Sequence, residues 1–303
     1  MISVVGEALI DLVITPGGAV EAKLGGAPFN TARACGRLGV DVRFVGAVSV
    51  DRFGSMLADQ LLADDVDTSG LVRVEMPTTL AAAELDEDGT ASYRFYIDGT
   101  SAPALVVEPG DVPGDVLFTG GLGLVLEPMA THVEAIVECA GAGRLVVVDV
   151  NCRPLIVPDR DAYVARVERI MSNAHVVKVS DEDPAYLEPG TAPLVAARQL
   201  LELGPSVVLV TSGGEGVHVL SAAGDRTVPV EPVVVVDTIG AGDSFGAGFI
   251  AWWVESGLGL DGVDDIESVV AAVRAANVVA GIVVTRRGAD PPWRSELPAD
   301  WVA

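Results

Sequence analysis

The sequence predicts an α/β protein with a mainly parallel sheet covered by helices on both faces, and a small antiparallel sheet beside it. Three observations predict it. Short valine-rich apolar runs recur along the 303 residues, amphipathic stretches of helical length separate them, and one region breaks the alternation with two hairpin-like segments. Unbroken apolar strands alternating with helices imply a parallel sheet sandwiched between helical layers. In such folds ligands bind beyond the C-terminal ends of the strands.

The strands come first. "ISVVG" (2–6), "VRFVGAVS" (42–49), "DVLFTGG" (115–121), "RLVVVDVN" (144–151), "AHVVKVS" (174–180) and "SVVLVTSGG" (206–214) are apolar runs that each end at Gly, Ser or Asn. "VEPVVVVD" (230–237) reads as a further strand. Between them lie helix-compatible segments at Asn30–Leu38, Gly54–Ala63, Ala130–Ala140, Ala162–Ser172 and Ala192–Leu203, with another over "SFGAGFIAWWVESG" (244–257). The exceptions are "DLVITPGGAVEAK" (11–23), a hairpin around Pro16-Gly17-Gly18, and "TTLAAAELDEDGTASYRFYI" (78–97), whose arms flank Asp88-Gly89. Asp-Gly is a strong hairpin-turn signal. Neither segment has a helix partner, so together they predict a lid over about 11–24 and 76–100, inserted in a single domain that spans 1–303. No interdomain linker or internal repeat interrupts the chain.

Composition narrows the functions. Half the residues are hydrophobic and the net charge is −24. Such a polyanion is repelled by nucleic acid and by anionic membrane, so neither is an expected partner. Two lysines, Lys23 and Lys178, stand among 19 basic residues, so a mechanism that needs lysine has two candidates. Cys35, Cys139 and Cys152 form no CxxC pair and suit no disulfide framework, which fits reduced thiols and a cytoplasmic protein. The N-terminus lacks the pattern of a signal peptide, and no apolar run is expected to reach membrane-spanning length. His132, His175 and His218 are dispersed without metal spacing.

The chemistry concentrates in "DTIGAGDSFGAGF" (237–249). The glycines Gly240 and Gly242 precede an apolar helix, whose N-terminal N–H groups are unpaired and carry the positive end of its dipole. Two readings fit. Asp243 is an N-cap in a glycine-rich turn, or the turn is an anion hole for a phosphoryl group with Asp243 as the base beside it. In the second reading the helix end keeps the Asp243 pKa low. The stretch is not a GxxxxGK[ST] loop, and neither lysine is near it in the sequence. "GLGLDG" (257–262) matches GxGxxG but follows a helix, so it reads as a loop and gives a nicotinamide enzyme little support. A second constellation, "KLGGAPFNTARACGRLG" (23–39), puts a Gly-Gly pair ahead of a helix that carries Asn30 in its first turn. An amide there offers a donor and an acceptor, which suits sugar hydroxyls, although alone it reads as an ordinary capped helix. Phe29 either packs against a sugar face or fills the core, and the core is the favoured reading.

Together "GGAPFNTARACGRLG" and "DTIGAGDSFGAGF" resemble the two signature segments of the PfkB family of ribokinase-like carbohydrate kinases. "GEALIDLV", "SVDRFGSMLADQLLADDVDTSGL", "DVNCRP", "TSGGEG" and "ANVVAGIVVTRRGA" resemble further family blocks, so the likeness spans nearly the whole chain. "GEALID", "FYIDGTSA" and "NCRP" are most similar to fructokinase-type members. The resemblance implies a Rossmann-like three-layer ribokinase fold and an ATP-dependent sugar kinase with Mg²⁺, and with K⁺ in many members. It implies that Asp243 is the base and that Gly240, Ala241 and Gly242 form the anion hole. It implies that Asp11, Gly26, Asn30 and Arg153 bind the sugar. Thr211, Gly213, Gly216 and Asn277 would line the nucleotide, and Asp237 with the Ile239 carbonyl would belong to a monovalent-cation loop. The family's Asn-x-x-Glu motif aligns with Ser180–Asp183, where Asp183 is expected to reach magnesium through water. Fructose is the first expected acceptor, followed by 2-keto-3-deoxygluconate and ribose; a carboxylated sugar would call for Arg94 or Arg153. The non-enzymatic alternative is a sugar- or nucleotide-binding regulator on an inactive kinase fold. The lid implies a homodimer.

Overall fold

The computed structural model describes residues 1–86, 91–140 and 143–302. Its main sheet has nine strands in the order β13-β12-β11-β10-β9-β8-β1-β4-β5. These are β1 (Ile2–Val5), β4 (Val42–Ser49), β5 (Asp67–Val74), β8 (Val116–Gly120), β9 (Leu145–Asp149), β10 (Val176–Ser180), β11 (Val207–Thr211), β12 (Val217–Ser221) and β13 (Gly224–Val228). All neighbours from β11 to β5 are parallel, and the β12–β13 hairpin adds an antiparallel edge. The six apolar runs anticipated as strands all lie in this sheet.

Helices cover both faces. On one side lie α1 (Ala27–Arg37), α2 (Arg52–Ala63), α7 (Ala241–Glu255) and α8 (Ile266–Val283); on the other lie α3 (Met129–Ala140), α4 (Arg160–Met171) and α6 (Pro193–Gln199). A short helix, α5 (Asp183–Leu187), follows β10. Each sheet face has its own apolar cluster. Phe29 is fully buried against Phe44, edge to face at 6.2 Å.

Two sequence expectations are corrected. Residues 230–237 are not a strand: Pro229 and Pro232 remove ladder donors, and Val233–Val236 are exposed. Val236 instead donates its N–H to the Val284 carbonyl at 2.7 Å. And one apolar run does reach spanning length: α8 has 18 residues with a hydropathy of 1.7. It packs along α7, burying Val269, Val273, Ala276 and Val279 in the core.

A four-stranded sheet, ordered β3-β2-β6-β7, hangs from the end of β1 through the short link Gly6–Ala8. It comprises β2 (Leu9–Ile14), β3 (Val20–Gly25), β6 (Leu80–Leu85) and β7 (Ala91–Tyr96). Its two hairpin pairings are antiparallel, while the hairpins meet each other parallel along β2 and β6. The turn expected at Asp88-Gly89 lies outside the described residues. The order of the main sheet reverses around β1 and β8. The crevice beyond their C-terminal ends is therefore where α1, the small sheet and the loop after β8 converge.

Candidate active site

Glycines shape the entrance from the small sheet. The β2–β3 register sets Asp11 opposite Lys23 and Leu9 opposite Gly25. A Cβ on Gly25 would lie 2.0 Å from Asp11 Oδ2, so only glycine lets that carboxylate lie across β3. Gly26, the N-cap of α1, has φ 108°, and a Cβ there would come within 2.7 Å of the Glu7 carbonyl. α1 then starts, with the Ala27 N–H donating to Glu7 Oε1 at 3.2 Å. Burial pushes the Glu7 carboxyl up to about 8, against the pull of backbone donors at Glu7 itself, Ala27 and Leu122. Asp11 is raised by burial to about 6, with the Arg153 charge opposing.

The first turn of α1 meets the first turn of α7. Asn30 is 7% exposed and donates from Nδ2 to Asp243 Oδ2 at 2.8 Å, while its Oδ1 is buried without a partner among the described residues. Thr31 reinforces the seam through its hydroxyl, which lies 3.3 Å from the Asp243 carbonyl. Asp243 is not an N-cap: that position is Gly240, held at φ 76°, where a Cβ would meet Ala289 Cβ at 2.5 Å. Ala241 gives its amide to the Thr238 carbonyl at 3.2 Å, whereas among the described residues no backbone acceptor closes on the amides of Gly242 and Asp243. The Asp243 carboxyl is also not kept low by the helix end. Burial pushes its pKa up to about 7, Asp149 adds to that, and Asn30, Lys178 and Arg153 oppose. Desolvation of a carboxyl outweighs the partial charge of a helix terminus.

Lys178 is far from the glycine turn in sequence but beside it in space. Its Nζ lies 3.4 Å from where a Cβ on Gly242 would stand and pairs with Asp149 Oδ2 at 2.8 Å. Arg153, exposed in the loop after β9, donates to the Cys152 carbonyl at 3.0 Å. Its charge acts on Glu7, Asp11, Asp149 and Asp243 together, which puts it over the same crevice.

Asp183 is anchored between the end of β10 and the loop after β9. It is 3% exposed; Oδ2 accepts from the Ser180 amide and hydroxyl at 2.7 and 2.8 Å, and Oδ1 accepts from the Cys152 amide at 2.6 Å. Being a methylene shorter than glutamate, it draws the end of β10 against the loop after β9. Among the described residues no three His, Cys, Asp or Glu side chains cluster as a metal site.

The other side of the crevice is looser. Thr211 ends β11, and the turn after it uses positive φ at Gly213 (49°) and Gly216 (97°). A Cβ on Gly216 would lie 2.5 Å from the Val228 carbonyl. Asn277 on α8 donates to the Pro229 carbonyl at 3.3 Å, so both residues meet the same corner. From there the exposed valines lead to Asp237, whose Oδ1 accepts from the Ile239 amide at 3.0 Å and Oδ2 from the Gly288 amide at 2.8 Å.

Sequence reasoning gave no role to Glu7, Asp149 or Lys178. The signals were present: an acid interrupting the first apolar run, and one lysine inside "VVKVS".

Comparison with known proteins agrees with this architecture. A family model described as pfkB family carbohydrate kinase matches residues 1–296. A fructokinase of Rhizobium leguminosarum bv. trifolii is 36% identical, over 83% of this chain and 79% of its own. A fructokinase of Klebsiella pneumoniae is 30% identical over 97% of both. The solved structure of a fructokinase with bound ATP from Xylella fastidiosa superposes with a TM-score of 0.86 at 30% identity, over 95% of this chain and 93% of that one. A glycine turn with free amides, a carboxylate held beside it and a match over nearly the whole length agree: the chain belongs to the pfkB family of carbohydrate kinases.

Proposed function

We propose that this protein transfers the γ-phosphoryl group of ATP to a primary hydroxyl of fructose. The observation that carries the reading is the contact of Asn30 with Asp243 beside the free amides of Gly242 and Asp243. A sugar hydroxyl presented to Asp243 loses its proton to that carboxylate as its oxygen attacks phosphorus. The amides take up charge on the phosphoryl oxygens, and ADP departs. Asn30 orients the base, and its unpartnered Oδ1 is an acceptor for a sugar hydroxyl. Asp11 and the Gly25-Gly26 platform hold the sugar, and Arg153 closes over it. The names of the relatives support fructose, as do "GEALID" and "NCRP". Arg153 among the carboxylates keeps 2-keto-3-deoxygluconate as the first alternative, with ribose next. Arg94, in contrast, faces Glu84 at 3.7 Å.

ATP fits the opposite side: the Thr211–Gly216 turn for phosphates, and the Val233–Val236 run with Asn277 for the base. Mg²⁺ bound with the phosphates would neutralise their charge and needs few protein ligands; Asp183 is the residue that would reach it, through water. Asp183 serves this site by fixing the loop from which Arg153 projects. The Asp237–Ile239 turn is the place for K⁺. The small sheet acts as a lid on one domain spanning 1–303, excluding water on closure, and pairs two copies through the face that carries Tyr96 and Val20, which are exposed. A cytoplasmic enzyme without nucleic-acid or membrane partners is consistent with the net charge of −24.

A coupled ADP-release assay over fructose, 2-keto-3-deoxygluconate, ribose and nucleosides, with Mg-ATP and with or without potassium, tests the reading. The highest kcat/KM is expected on fructose. A higher value on another sugar replaces the substrate, and ligand binding without turnover on any acceptor favours the inactive regulator. Light scattering showing a monomer at micromolar concentration would remove the dimer.

A further inference from the structure

Lys178 sits where packing alone gives no reason for it. It is the third residue of β10, a parallel strand in the middle of the main sheet, and its side chain is 7% exposed. Its partner Asp149 stands directly opposite on β9 and is 3% exposed. Burying such a pair costs desolvation on both sides, and apolar residues of the same size usually serve the fold as well or better. The pair therefore calls for a role in the crevice.

Its geometry supplies one. An ammonium has three protons. Asp149 takes one at 2.8 Å, and no other acceptor approaches among the described residues. The nitrogen lies directly beneath Gly242, 3.4 Å from the position of a Cβ there, and its charge acts on the Asp243 carboxyl. Two free amides and a buried ammonium thus face one point, the start of α7. Gly242 puts no side chain over the ammonium. A chain with a net charge of −24 needs such a local cation to receive an anionic phosphoryl group.

We infer that Lys178 is a catalytic cation of the transfer step: clamped by Asp149, it donates to a non-bridging oxygen of the migrating phosphoryl group above Gly242. This rests on the kinase reading of the same site. The bond from phosphorus to the sugar oxygen forms, the bond from phosphorus to the β–γ bridging oxygen breaks, the hydroxyl proton passes to Asp243, and ADP leaves with that bond's electron pair. Lys178 keeps its proton throughout, and Asp149 is a positioning residue that acts through it.

The test compares wild type with Lys178→Met and with the double variant Lys178→Met/Asp149→Asn, which leaves no lone charge in the core. Steady-state kinetics are measured with Mg-ATP and the acceptor that the wild type uses best. Thermal unfolding and circular dichroism report the fold. Loss of a preorganised donor to a transition-state oxygen typically costs about 10²–10³ in kcat. Both variants are expected to lose about that much, with the sugar KM within about threefold, and neutralising Asp149 is expected not to restore activity. A folded double variant within about threefold of wild-type kcat makes the pair purely structural and overturns this assignment alone. A wild type that turns over no acceptor overturns the function and this assignment together. If neither variant folds, Asp149→Asn alone decides: it keeps the ammonium but frees it, so an unchanged kcat removes the clamp and the proposal with it.

Discussion

At one end of the crevice, where the small sheet and α1 meet α7, polar groups are buried and held by specific contacts, with Asn30 Oδ1 left open among the described residues. Asn30 holds Asp243, Glu7 holds the start of α1, and Gly25 is emptied of side chain to seat Asp11. At the other end, around Val233–Val236 and Asn277, the surface is exposed and apolar, and Asn277 meets it through one 3.3 Å hydrogen bond to the Pro229 carbonyl. In the reaction proposed above, the acceptor end is thus preorganised for direction, whereas the donor end offers area. Buried polar groups leave little choice of geometry, because each misplaced partner costs its desolvation. Apolar exposed chain tolerates small displacements. Substitutions at the two ends should therefore differ in size and in which kinetic constant they move.

The sharpest contrast comes from Asp243→Asn. The amide keeps the contact with Asn30 but cannot accept the hydroxyl proton, so kcat is expected to fall about 10²–10⁴-fold. The sugar KM should stay within about threefold. In the parent protein the base is the ionised form, and burial pushes its pKa up to about 7. The kcat/KM for the sugar should therefore rise with pH through about 7 and level off above it. A variant with unimpaired turnover removes Asp243 as the base, and a flat profile from pH 5 to 8 removes its raised pKa.

Next in size is Gly25→Ala. The added Cβ would fall 2.0 Å from Asp11 Oδ2, so the carboxylate must swing away. Displacing a positioning group by about an ångström can cost on the order of 10²-fold, and here the loss should appear in the sugar KM, leaving the ATP KM nearly unchanged. Equal increases in both constants would mean that the two ends are not independent.

Stability carries a third signature of the acceptor end. Glu7 has a folded-state pKa of about 8 against an ordinary 4.5. A carboxyl raised in this way stabilises the fold fully below its unfolded pKa and loses that contribution as pH climbs through the folded one. Asp11, raised to about 6, has the same sign. Glu7→Gln should then gain on wild type, by on the order of a few kcal/mol, between pH 5 and pH 9 in denaturant titrations. Parallel stability curves would show that Glu7 is ionised in the folded protein.

The two ends also differ in how much the sequence disclosed. Valine runs ending in Gly, Ser or Asn made six of the seven parallel strands legible, since a strand buried on both faces must be apolar throughout. β5 and the β12–β13 edge went unread because they are half-exposed and carry polar residues, such as Asp67 and Asp225. Residues 230–237 misled because valine content outweighed Pro232 and the preceding Pro229. Gly240, Gly242, Asp243 and Asn30 stood out in the sequence because each lies in a glycine-rich motif at a helix start, whereas the Asn30–Asp243 contact that joins the two motifs is tertiary. Lys178, Asp149 and Glu7 were not, because they act across strands. The β10–β9 register that brings Lys178 to Asp149, and the crossing that puts it under Gly242, are tertiary facts. The raised pKa of Asp243 was hidden for the same reason: the helix end is local, whereas the burial and the nearby Asp149 come from the assembled fold.

The smallest effect is expected at the donor end, from Asn277→Ala. Its hydrogen bond to the Pro229 carbonyl is 3.3 Å long and exposed. Such a bond contributes at the low end of about 0.5–1.5 kcal/mol. The segment it tethers, Pro229–Val236, also stays anchored by the Val236 amide on the Val284 carbonyl at 2.7 Å. The ATP KM should therefore rise by only about twofold to fivefold, from a slightly looser Val233–Val236 surface, while kcat and the sugar KM hold. An increase of about a hundredfold would place a demanding polar contact at Asn277. The donor end would then be preorganised like the acceptor end, and the division of the crevice into a directing half and an area-bearing half would fall.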